Sequence, residues 1–300
     1  MKVYTFIAAE KPAGRNVNRS CALLSVSRSA YYDWARQKPS ARARKDEALR
    51  QQIRRIHRAS RGTYGAPRVH QQLRHEDVRT SRKRVARMMA QDGLKGRQKR
   101  RTKRTTIPEG QASPLWTDLV ARDFAPASHP LNTAWAGDIT YLRTQEGWAY
   151  LATVIDLASR RVVGFSMAHH MRTSLVEEAL KMALKRRRPA HGLIFHSDRG
   201  SQYTSAAFRQ LLERHQVRQS LSRPRQCWDN AVAESFFATL KTELVYRQPL
   251  TTIAATRTAV FEYIEVFYNR TRIHSALGYR SPADYEACTL KPPELAASAA

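Results

Sequence analysis

The chain has 300 residues and a mass of 34.3 kDa, and 42% of its residues are apolar, which leaves room for about two folded domains and excludes a wholly disordered chain. Its 52 lysines and arginines outnumber 25 aspartates and glutamates. The net charge of +27 favours a polyanionic partner, with nucleic acid ahead of an anionic membrane surface. We find no run of about 18 apolar residues and no signal peptide, so we expect a cytoplasmic protein that is not embedded in a membrane.

The positive charge is concentrated at the start of the chain. Residues 1–106 carry 29 lysines and arginines against 7 acids, a net charge of +22, whereas residues 107–300 carry only +5. The two halves therefore have different electrostatic roles, and the basic half is the one suited to bind phosphate.

The first predicted segment covers 1–45 and is helical. Ser27 stands where it can cap a helix that carries Tyr31, Tyr32 and Trp34. These aromatic side chains indicate either part of a helix-turn-helix or a small aromatic core, and the pattern favours neither.

Residues 46–94 are predicted to form a helix-turn-helix-like DNA-binding domain. Apolar residues recur at helical spacing in 46–58 and 66–73, and Thr80 or Ser81 can cap a third helix. Three short helices joined by polar turns suit a helix-turn-helix, although any basic three-helix bundle would show the same pattern. The predicted DNA contacts are basic residues of the third helix, namely Arg82, Lys83, Arg84 and Arg87.

The segment 95–130 is predicted to be a basic linker. Its first ten residues are rich in lysine and arginine and include Arg100 and Arg101, which we assign to DNA contact. The sequence Ile-Pro-Glu-Gly that begins at Ile107 breaks any helix. A solvated charge run without a partner is the alternative, but the neighbouring domain is itself basic, which favours contact with nucleic-acid phosphate.

Residues 131–290 differ in character and predict an α/β domain. Three stretches rich in β-branched and aromatic residues indicate successive antiparallel strands, and two shorter apolar strands then alternate with helices. This order implies a mixed five-stranded sheet flanked by helices. The predicted strands are 135–142, 149–156, 161–167, 193–197 and 217–221, and the predicted helices are 175–185, capped by Ser174, 206–215, 229–245 and 253–268. Irregular sequence and an Ala-rich tail over 291–300, expected to be disordered, follow.

Three acids in this half are candidates for metal-dependent phosphodiester chemistry. Such chemistry commonly uses two divalent cations about 3.5–4 Å apart, and these hard ions prefer oxygen ligands. Asp138 lies in the first strand, Asp198 directly follows the fourth strand, and Glu234 lies on the helix 229–245. The spacing alone is weak evidence, but one mixed sheet could bring all three together, so we predict them as catalytic residues and metal ligands.

Several residues near these acids are predicted to support them. Arg199 belongs to the turn that projects Asp198, Gln202 can hold a substrate, and Lys241 lies two helical turns after Glu234, where it can meet phosphate oxygens. We assign all three to DNA contact. Asp156 is expected to cap a turn, and His196 is expected either to be packed or to act near the site.

Several literal motifs of this chain resemble those of the DDE transposases of the insertion-sequence-three family, which are relatives of retroviral integrases. The resemblance covers most of 20–285. The motifs are WAGDITYL (135–142), HSDRGSQY (196–203), WDNAVAESFF (228–237), LKTE (240–243), YNR (268–270), HSALGYRSP (274–282), GTYGAPR (62–68) and SVSRSAYY (25–32).

The resemblance implies an RNase H-like catalytic core in which Asp138, Asp198 and Glu234 are the DDE triad and hold two Mg²⁺ or Mn²⁺ ions, with Lys241 near the DNA. It implies that a metal-activated water nicks the end of the element and that the freed 3′-hydroxyl attacks another phosphodiester. The DNA partners would be the terminal inverted repeats of the element and its target.

The resemblance also implies further partners. Members of this family are often fused by frameshifting to the product of an upstream reading frame, and synapsis of two ends implies a homo-oligomer on DNA. The expected location is the bacterial nucleoid. Two alternatives are a non-catalytic DNA-binding remnant or regulator of transposition, and a nuclease that degrades RNA in hybrids.

Overall fold

The computed structural model describes residues 3–36, 41–98, 117–223 and 230–290, so Arg100, Arg101 and the tail 291–300 lie outside the described residues. Helices account for most of the first two ranges. Their bounds are α1 Val3–Glu10, α2 Val17–Leu23, α3 Arg28–Ala35, α4 Ala41–Ala59, α5 Ala66–His75 and α6 Arg82–Gln91.

Helices α1, α2 and α3 pack around a small core of their own. Ile7, Cys21 and Tyr31 are buried in it, as the aromatic-core interpretation predicts for Tyr31. Ser27 caps α3, and its hydroxyl accepts a hydrogen bond from the backbone N–H of Ala30. This first unit is therefore held together by apolar packing and by a cap that was readable from the sequence.

Helices α4, α5 and α6 form the predicted basic three-helix unit. Each contributes buried apolar residues to a shared core, including Ile53, Leu73 and Met88. The Ser81 hydroxyl accepts the backbone N–H of Arg84 at 3.2 Å, so Ser81 is the cap of α6. The helical prediction for this region is thus confirmed.

The predicted mixed five-stranded sheet is also confirmed. Its order is β3-β2-β1-β4-β5, in which β1, β2 and β3 pair antiparallel and β1, β4 and β5 pair parallel. The strands are β1 Ala134–Thr144, β2 Gly147–Asp156, β3 Val162–Ala168, β4 Ile194–Ser197 and β5 Arg218–Leu221.

Helices cover both faces of the sheet. Those that follow the first three strands are α7 Thr173–Arg187, α8 Ser201–Thr204, α9 Ala206–Arg214, α10 Ala231–Glu243 and α11 Ile253–Glu262, and α11 continues as a π-helical segment, Tyr263–Tyr268. Helices α7 and α9 share one apolar core with the sheet, and α10 and α11 share the other. The predicted cap at Ser174 was wrong: α7 begins at Thr173 after Arg172, without a side-chain cap.

A last helix, α12, Pro282–Leu290, lies where irregular sequence was expected. It begins with Ser281, whose hydroxyl donates to the Asp284 carboxylate at 2.6 Å and accepts the Asp284 backbone N–H at 3.2 Å. Pro282 suits the first helical position, where no N–H is needed. The local sequence Ser-Pro-Ala-Asp therefore carries the start signal of this helix.

The described ends of the predicted linker make defined contacts. Arg97 donates its backbone N–H to the Thr63 carbonyl at 2.9 Å. Leu119 donates its backbone N–H to the Ser220 hydroxyl at 2.9 Å, and Val120 is buried beside the sheet. The domain boundaries remain predictions. Within the described ranges, no helix combines the length and the apolar character that crossing a bilayer requires.

Tyr64 joins the three-helix unit to the C-terminal part of the chain. Its hydroxyl donates to the Thr271 carbonyl at 3.3 Å and accepts the backbone N–H of Ile273 at 2.8 Å. Arg61 adds an ion pair with Glu262 at 2.8 Å. Because the core of α4, α5 and α6 also merges with that of α10 and α11, the two regions share one apolar cluster.

We predict that Tyr64→Phe destabilises the protein by about 1–3 kcal/mol, because the buried N–H of Ile273 loses its acceptor. Tyr246→Phe is the matched control, since the Tyr246 side chain is 67% exposed and its substitution should change stability by less than about 0.5 kcal/mol. Urea unfolding of the full chain measures both. Equal stability of the two variants would contradict the conclusion that Tyr64 joins the three-helix unit to the C-terminal part of the chain.

Candidate active site

The parallel pairing of β1 with β4 brings two of the predicted catalytic acids together. Ala136 of β1 is the partner of His196 of β4. Asp138 and Asp198 each lie two residues further along, and adjacent strands are about 4.8 Å apart. Side chains alternate along a strand, so Asp138 lies on the side that Ala136 and His196 share. Asp198 lies one residue beyond β4 and is close enough for its charge to act on Asp138. This register makes Asp138 and Asp198 neighbours although 59 residues separate them in the chain.

Gly137, next to Asp138, allows the backbone of β1 to lie close to a side chain of β4. A Cβ atom at this position would lie 2.4 Å from the ring of Phe195. That ring packs against Tyr203 and Phe208, so it has little room to move. The glycine of the WAGD motif is therefore explained by packing beneath the site.

Glu234 reaches the site from α10. The helix starts beside β1, where the Asn230 side-chain amide donates to the Gly137 carbonyl at 3.1 Å. Glu234 lies in the first turn of α10 and its side chain is exposed. Asn230 lies at the start of the helix predicted over 229–245. Its contact with β1 is a positioning role that could not be read from local spacing.

The charges around Asp138 act on one another. Burial, followed by the negative charge of Asp198 and a smaller contribution from Glu234, raises the pKa of Asp138 to about 8. The backbone N–H of Ile139, which donates to Asp138 at 2.8 Å, and the Lys241 ammonium both act in the opposite direction. The positive charge near Asp138 is therefore too small to keep its pKa at the usual value for an aspartate.

The donor chemistry of these acids fits a divalent cation. Carboxylate oxygens are the hard ligands that Mg²⁺ and Mn²⁺ prefer, and a cation would relieve the repulsion that raises the pKa of Asp138. In the ranges that the structure describes, however, no three His, Cys, Asp or Glu side chains form a group that could hold a metal ion as they stand. A site that uses all three acids therefore requires a shift of at least one of them, and Glu234 is exposed at the start of its helix.

Lys241 and a pair of aromatic residues border the acids. The Lys241 ammonium lies 4.9 Å from the centre of the Tyr141 ring, and burial lowers the pKa of Lys241 while Asp138 raises it. Tyr141 meets Trp148 edge to face at 5.3 Å, and the Arg143 guanidinium lies 5.1 Å from the Trp148 ring. Both aromatic side chains are exposed. Sequence reasoning identified Lys241 and missed the two rings, although exposed aromatics beside basic residues are a known signal for nucleic-acid contact.

Two residues near the site have structural roles. Asp156 is fully buried and accepts the backbone N–H groups of Asn132, Ala158 and Ser159 at 2.8–3.0 Å, which confirms its predicted role in the turn. His196 is buried, and its Nδ1 lies 2.8 Å from the Ser220 hydroxyl. The packed interpretation of His196 is the one that the structure supports.

Arg199 and Gln202 both contact the protein itself. Arg199 donates through Nε to the Ser222 carbonyl at 2.8 Å, and the Gln202 amide donates to the Met171 carbonyl at 2.9 Å. These bonds tie the Asp198 turn to the end of β5 and to the loop before α7. Both residues therefore position the turn, and their assignment to DNA contact stays a prediction.

The basic residues of α6 divide into two groups. Arg82, Lys83 and Arg87 are exposed. Arg84 instead donates to Asp46 of α4, and this contact holds the pKa of Asp46 below its usual value. The helix borders a basic groove of about 680 Å³ between α4 and α6, whose lining includes Arg42, Lys45, Lys83, Arg84 and Arg87. Arg100 and Arg101 lie outside the described residues.

Known domain families match three parts of the chain. An HTH-like domain matches residues 44–102, and integrase core domains match residues 129–227 and 215–282. Among solved structures, the chain is similar to the HTLV-2 integrase catalytic core domain in complex with magnesium, at 15% identity and a TM-score of 0.40 over 51% of this chain and 95% of that one. It is also similar to a chain of the simian T-cell lymphotropic virus intasome in complex with PP2A regulatory subunit B56 gamma, at 15% identity and a TM-score of 0.45 over 71% and 69% of the two chains.

Full-length relatives are much closer in sequence. The chain is 40% identical to the transposase InsF for insertion sequence IS3A of Escherichia coli (strain K12), over 94% of this chain and 98% of that protein. It is also 40% identical to an uncharacterized 31 kDa protein of insertion element IS600 of Shigella sonnei, over 88% and 96% of the two. With an integrase core, an HTH-like domain and this coverage, the chain belongs to the insertion-sequence-three (IS3) family of transposases, which are polynucleotidyl transferases that act on DNA.

Proposed function

We propose that Asp138, Asp198 and Glu234 are the catalytic acids with which this transposase cuts DNA at the ends of an insertion element and joins them to a target. The observation that carries the assignment is the β1–β4 register, which makes Asp138 and Asp198 neighbours. The effect of the Glu234 charge on Asp138 supports the third member.

The proposal includes two Mg²⁺ or Mn²⁺ ions held by these carboxylates. Bound divalent ions activate the attacking oxygen and stabilise the leaving oxygen in phosphodiester chemistry. The crowding of negative charge on Asp138 supports the presence of cations, since without them the acids would repel both one another and a DNA phosphate.

The chain's own residues then orient the DNA in two successive reactions. In the first, water attacks a phosphodiester at the element end, one P–O bond breaks, and a 3′-hydroxyl is freed. In the second, that 3′-oxygen loses its proton to solvent and bonds to a target phosphorus as the existing P–O bond breaks. Lys241, half-buried between Asp138 and Tyr141, binds a phosphate oxygen next to the acids.

The basic helices bind the terminal inverted repeats in this proposal. Lys83 and Arg87, which line the α4–α6 groove, and the exposed Arg82 of the same helix are suited to contact phosphates, which fix the position of the protein on DNA. Arg84 orients the groove through Asp46. Arg100 and Arg101, in the basic stretch of sequence that follows, are the remaining proposed DNA contacts of this half.

Two partners and a location complete the proposal. Joining two element ends in one event requires two ends to be held together, which favours a homo-oligomer on DNA, and DNA binding places the protein at the bacterial nucleoid. The family resemblance adds an upstream reading-frame product fused by frameshifting. The assays below are therefore run with this chain alone and with such a fusion.

Neutral replacement of the three acids should abolish strand transfer. Asp138→Asn, Asp198→Asn and Glu234→Gln are each expected to lower the rate by about 1000-fold or more, because each removes a ligand that contributes several kcal/mol to the transition state through the cations. The measurement is cleavage and joining of element-end DNA in Mg²⁺.

Glu213→Gln on α9 is the control for that assay, because it removes an exposed acid away from the sheet end. It should retain the rate of the unaltered chain. Strand transfer that survives in any of the three acid variants would refute its assignment. DNA binding without any cutting by the unaltered chain or its fusion would identify a DNA-binding remnant instead.

Mg²⁺ should stabilise the folded chain through Asp138. At about ten times the dissociation constant, bound Mg²⁺ is expected to add about 1.4 kcal/mol to the free energy of unfolding, and Asp138→Asn should lose this gain. Asp156→Asn is the control, since Asp156 is buried in the same sheet but accepts backbone N–H groups, so this variant should be less stable yet still respond to Mg²⁺. Chemical unfolding with and without Mg²⁺ measures all three. An equal Mg²⁺ response of Asp138→Asn and the unaltered chain would exclude Asp138 as a ligand.

The α4–α6 groove predicts a difference between two lysines. Lys83→Gln should reduce the slope of log affinity against log salt by about 1, as expected when one phosphate contact is lost. Lys185→Gln removes an exposed lysine of α7 and should change the slope much less. Salt titrations with element-end DNA measure both. The same slope change in the two variants would show that only net charge matters and that the groove is not the DNA site.

A further inference from the structure

Two sequence motifs that the catalytic acids do not explain meet at one cleft. The GTYGAPR motif ends at Arg68 on α5, and the stretch from Tyr268 to His274 follows the π-helical segment. Both line a cleft of about 540 Å³ together with α10, on a face of that helix next to the one that carries Glu234. Tyr64 bonds the two motifs directly through Thr271 and Ile273.

The cleft is strongly positive. Among its described lining residues, four arginines face a single carboxylate, that of Glu243. Arg272 already neutralises Glu243, donating from Nε and Nη2 to the two carboxylate oxygens at 2.8 Å each. Arg68 lies 4.0 Å from the same carboxylate and has its pKa lowered by burial and by the charge of Arg272. The remaining positive charges are Arg97 and Arg160, so the cleft favours an anion.

Two buried nitrogens of the cleft residues lack acceptors. In the part of the chain that the structure describes, Arg160 Nη1 and His274 Nε2 have no hydrogen-bond partner. Burial and the charges of Arg272, Arg68 and Arg160 keep the pKa of His274 well below its usual value, so its imidazole is neutral and can donate one N–H. Buried donors in proteins are almost always paired. An anion in the cleft would supply an acceptor for Arg160 Nη1 and for His274 Nε2 in the tautomer that carries its proton there.

The size and the place of the cleft favour a polymer over a small free anion. About 540 Å³ is much larger than a phosphate group and lies in the range of sites that hold a ligand with flanking atoms. The cleft is lined by Arg68 of the three-helix unit and by Ser235 and Thr239 of α10, so it opens where the DNA-binding region meets the helix that carries Glu234.

We propose that this cleft binds one phosphodiester group of the element-end DNA, held by Arg97, Arg160 and His274, and thereby couples DNA binding to the position of α10. The assignment rests on the proposed function for the identity of the polymer. Ser235, Thr239 and Thr242 of α10 also line the cleft, so a phosphate bound there would lie against the helix that carries Glu234. Arg97, Arg160 and His274 are positioning residues in this account.

The test measures binding of element-end DNA in a chelator, so that no cutting occurs and failure of the catalytic proposal does not affect the result. Arg160→Gln and Arg97→Gln should each weaken binding about tenfold, as expected for a charged hydrogen bond, and lower the salt slope by about 1. Arg209→Gln, an exposed arginine on α9, is the matched control and should change both values little. Urea unfolding checks that the variants are folded, and the exposed Arg97 gives a variant whose loss would not perturb the core.

A second arm identifies the phosphate. Single phosphates of the DNA are replaced in turn by neutral methylphosphonates, and one position should weaken binding to the unaltered chain but cause no further loss in Arg160→Gln. If every position has the same effect in both proteins, the cleft does not bind DNA and the proposal fails. If inorganic phosphate at constant ionic strength stabilises the unaltered chain while the DNA arm shows no coupled position, the cleft is a small-anion site and the DNA assignment is wrong.

Discussion

The parallel pairing of β1 with β4 is the constraint on which the candidate site depends. It sets Ala136 against His196, with Asp138 two residues further along β1 and Asp198 directly after the end of β4. If β1 and β4 were antiparallel, the two strands would run in opposite directions from the Ala136–His196 pair, and the two acids would be separated. The connection through β2, β3 and α7 makes the parallel arrangement possible, since parallel neighbours need a long crossover. Much of the sheet thus serves to place two carboxylates side by side.

Helix α10 connects the Asp138–Asp198 pair to the rest of the molecule, because each of its faces makes different contacts. Phe236 and Leu240 are buried in the apolar core against the sheet. Glu234 and Lys241 lie on the stripe that borders Asp138, and Glu243 is buried in its ion pair with Arg272. Asn230 fixes the start of the helix to β1. A displacement of α10 would therefore change the acid site, the core and the positive cleft together.

The sequence predicted the local elements well because their signals are local. Strand boundaries fell within about two residues, and the caps at Ser27 and Ser81 were correct, since alternation and capping depend on neighbouring residues. The α12 helix was missed even though its start signal at Ser281 is local. The information needed to predict α12 was therefore present in the sequence.

The partners of individual side chains could not be predicted, because they come from distant parts of the chain. Arg84 looked like a DNA contact and is paired with Asp46, 38 residues earlier. Tyr64 meets Ile273 across 209 residues, and no periodicity in either segment indicates this. The convergence of Asp138 with Asp198 was predictable only because strand order and literal motifs agreed.

The charge excess of residues 1–106 gave a partner class but no residue-level contact. In the proposed function its physical role follows from the acids: Asp138, Asp198 and Glu234 would repel DNA unless cations lay between them, so positive charge elsewhere would hold the DNA while those cations bind. Basic helices, a positive cleft and an acidic site are thus parts of one electrostatic arrangement.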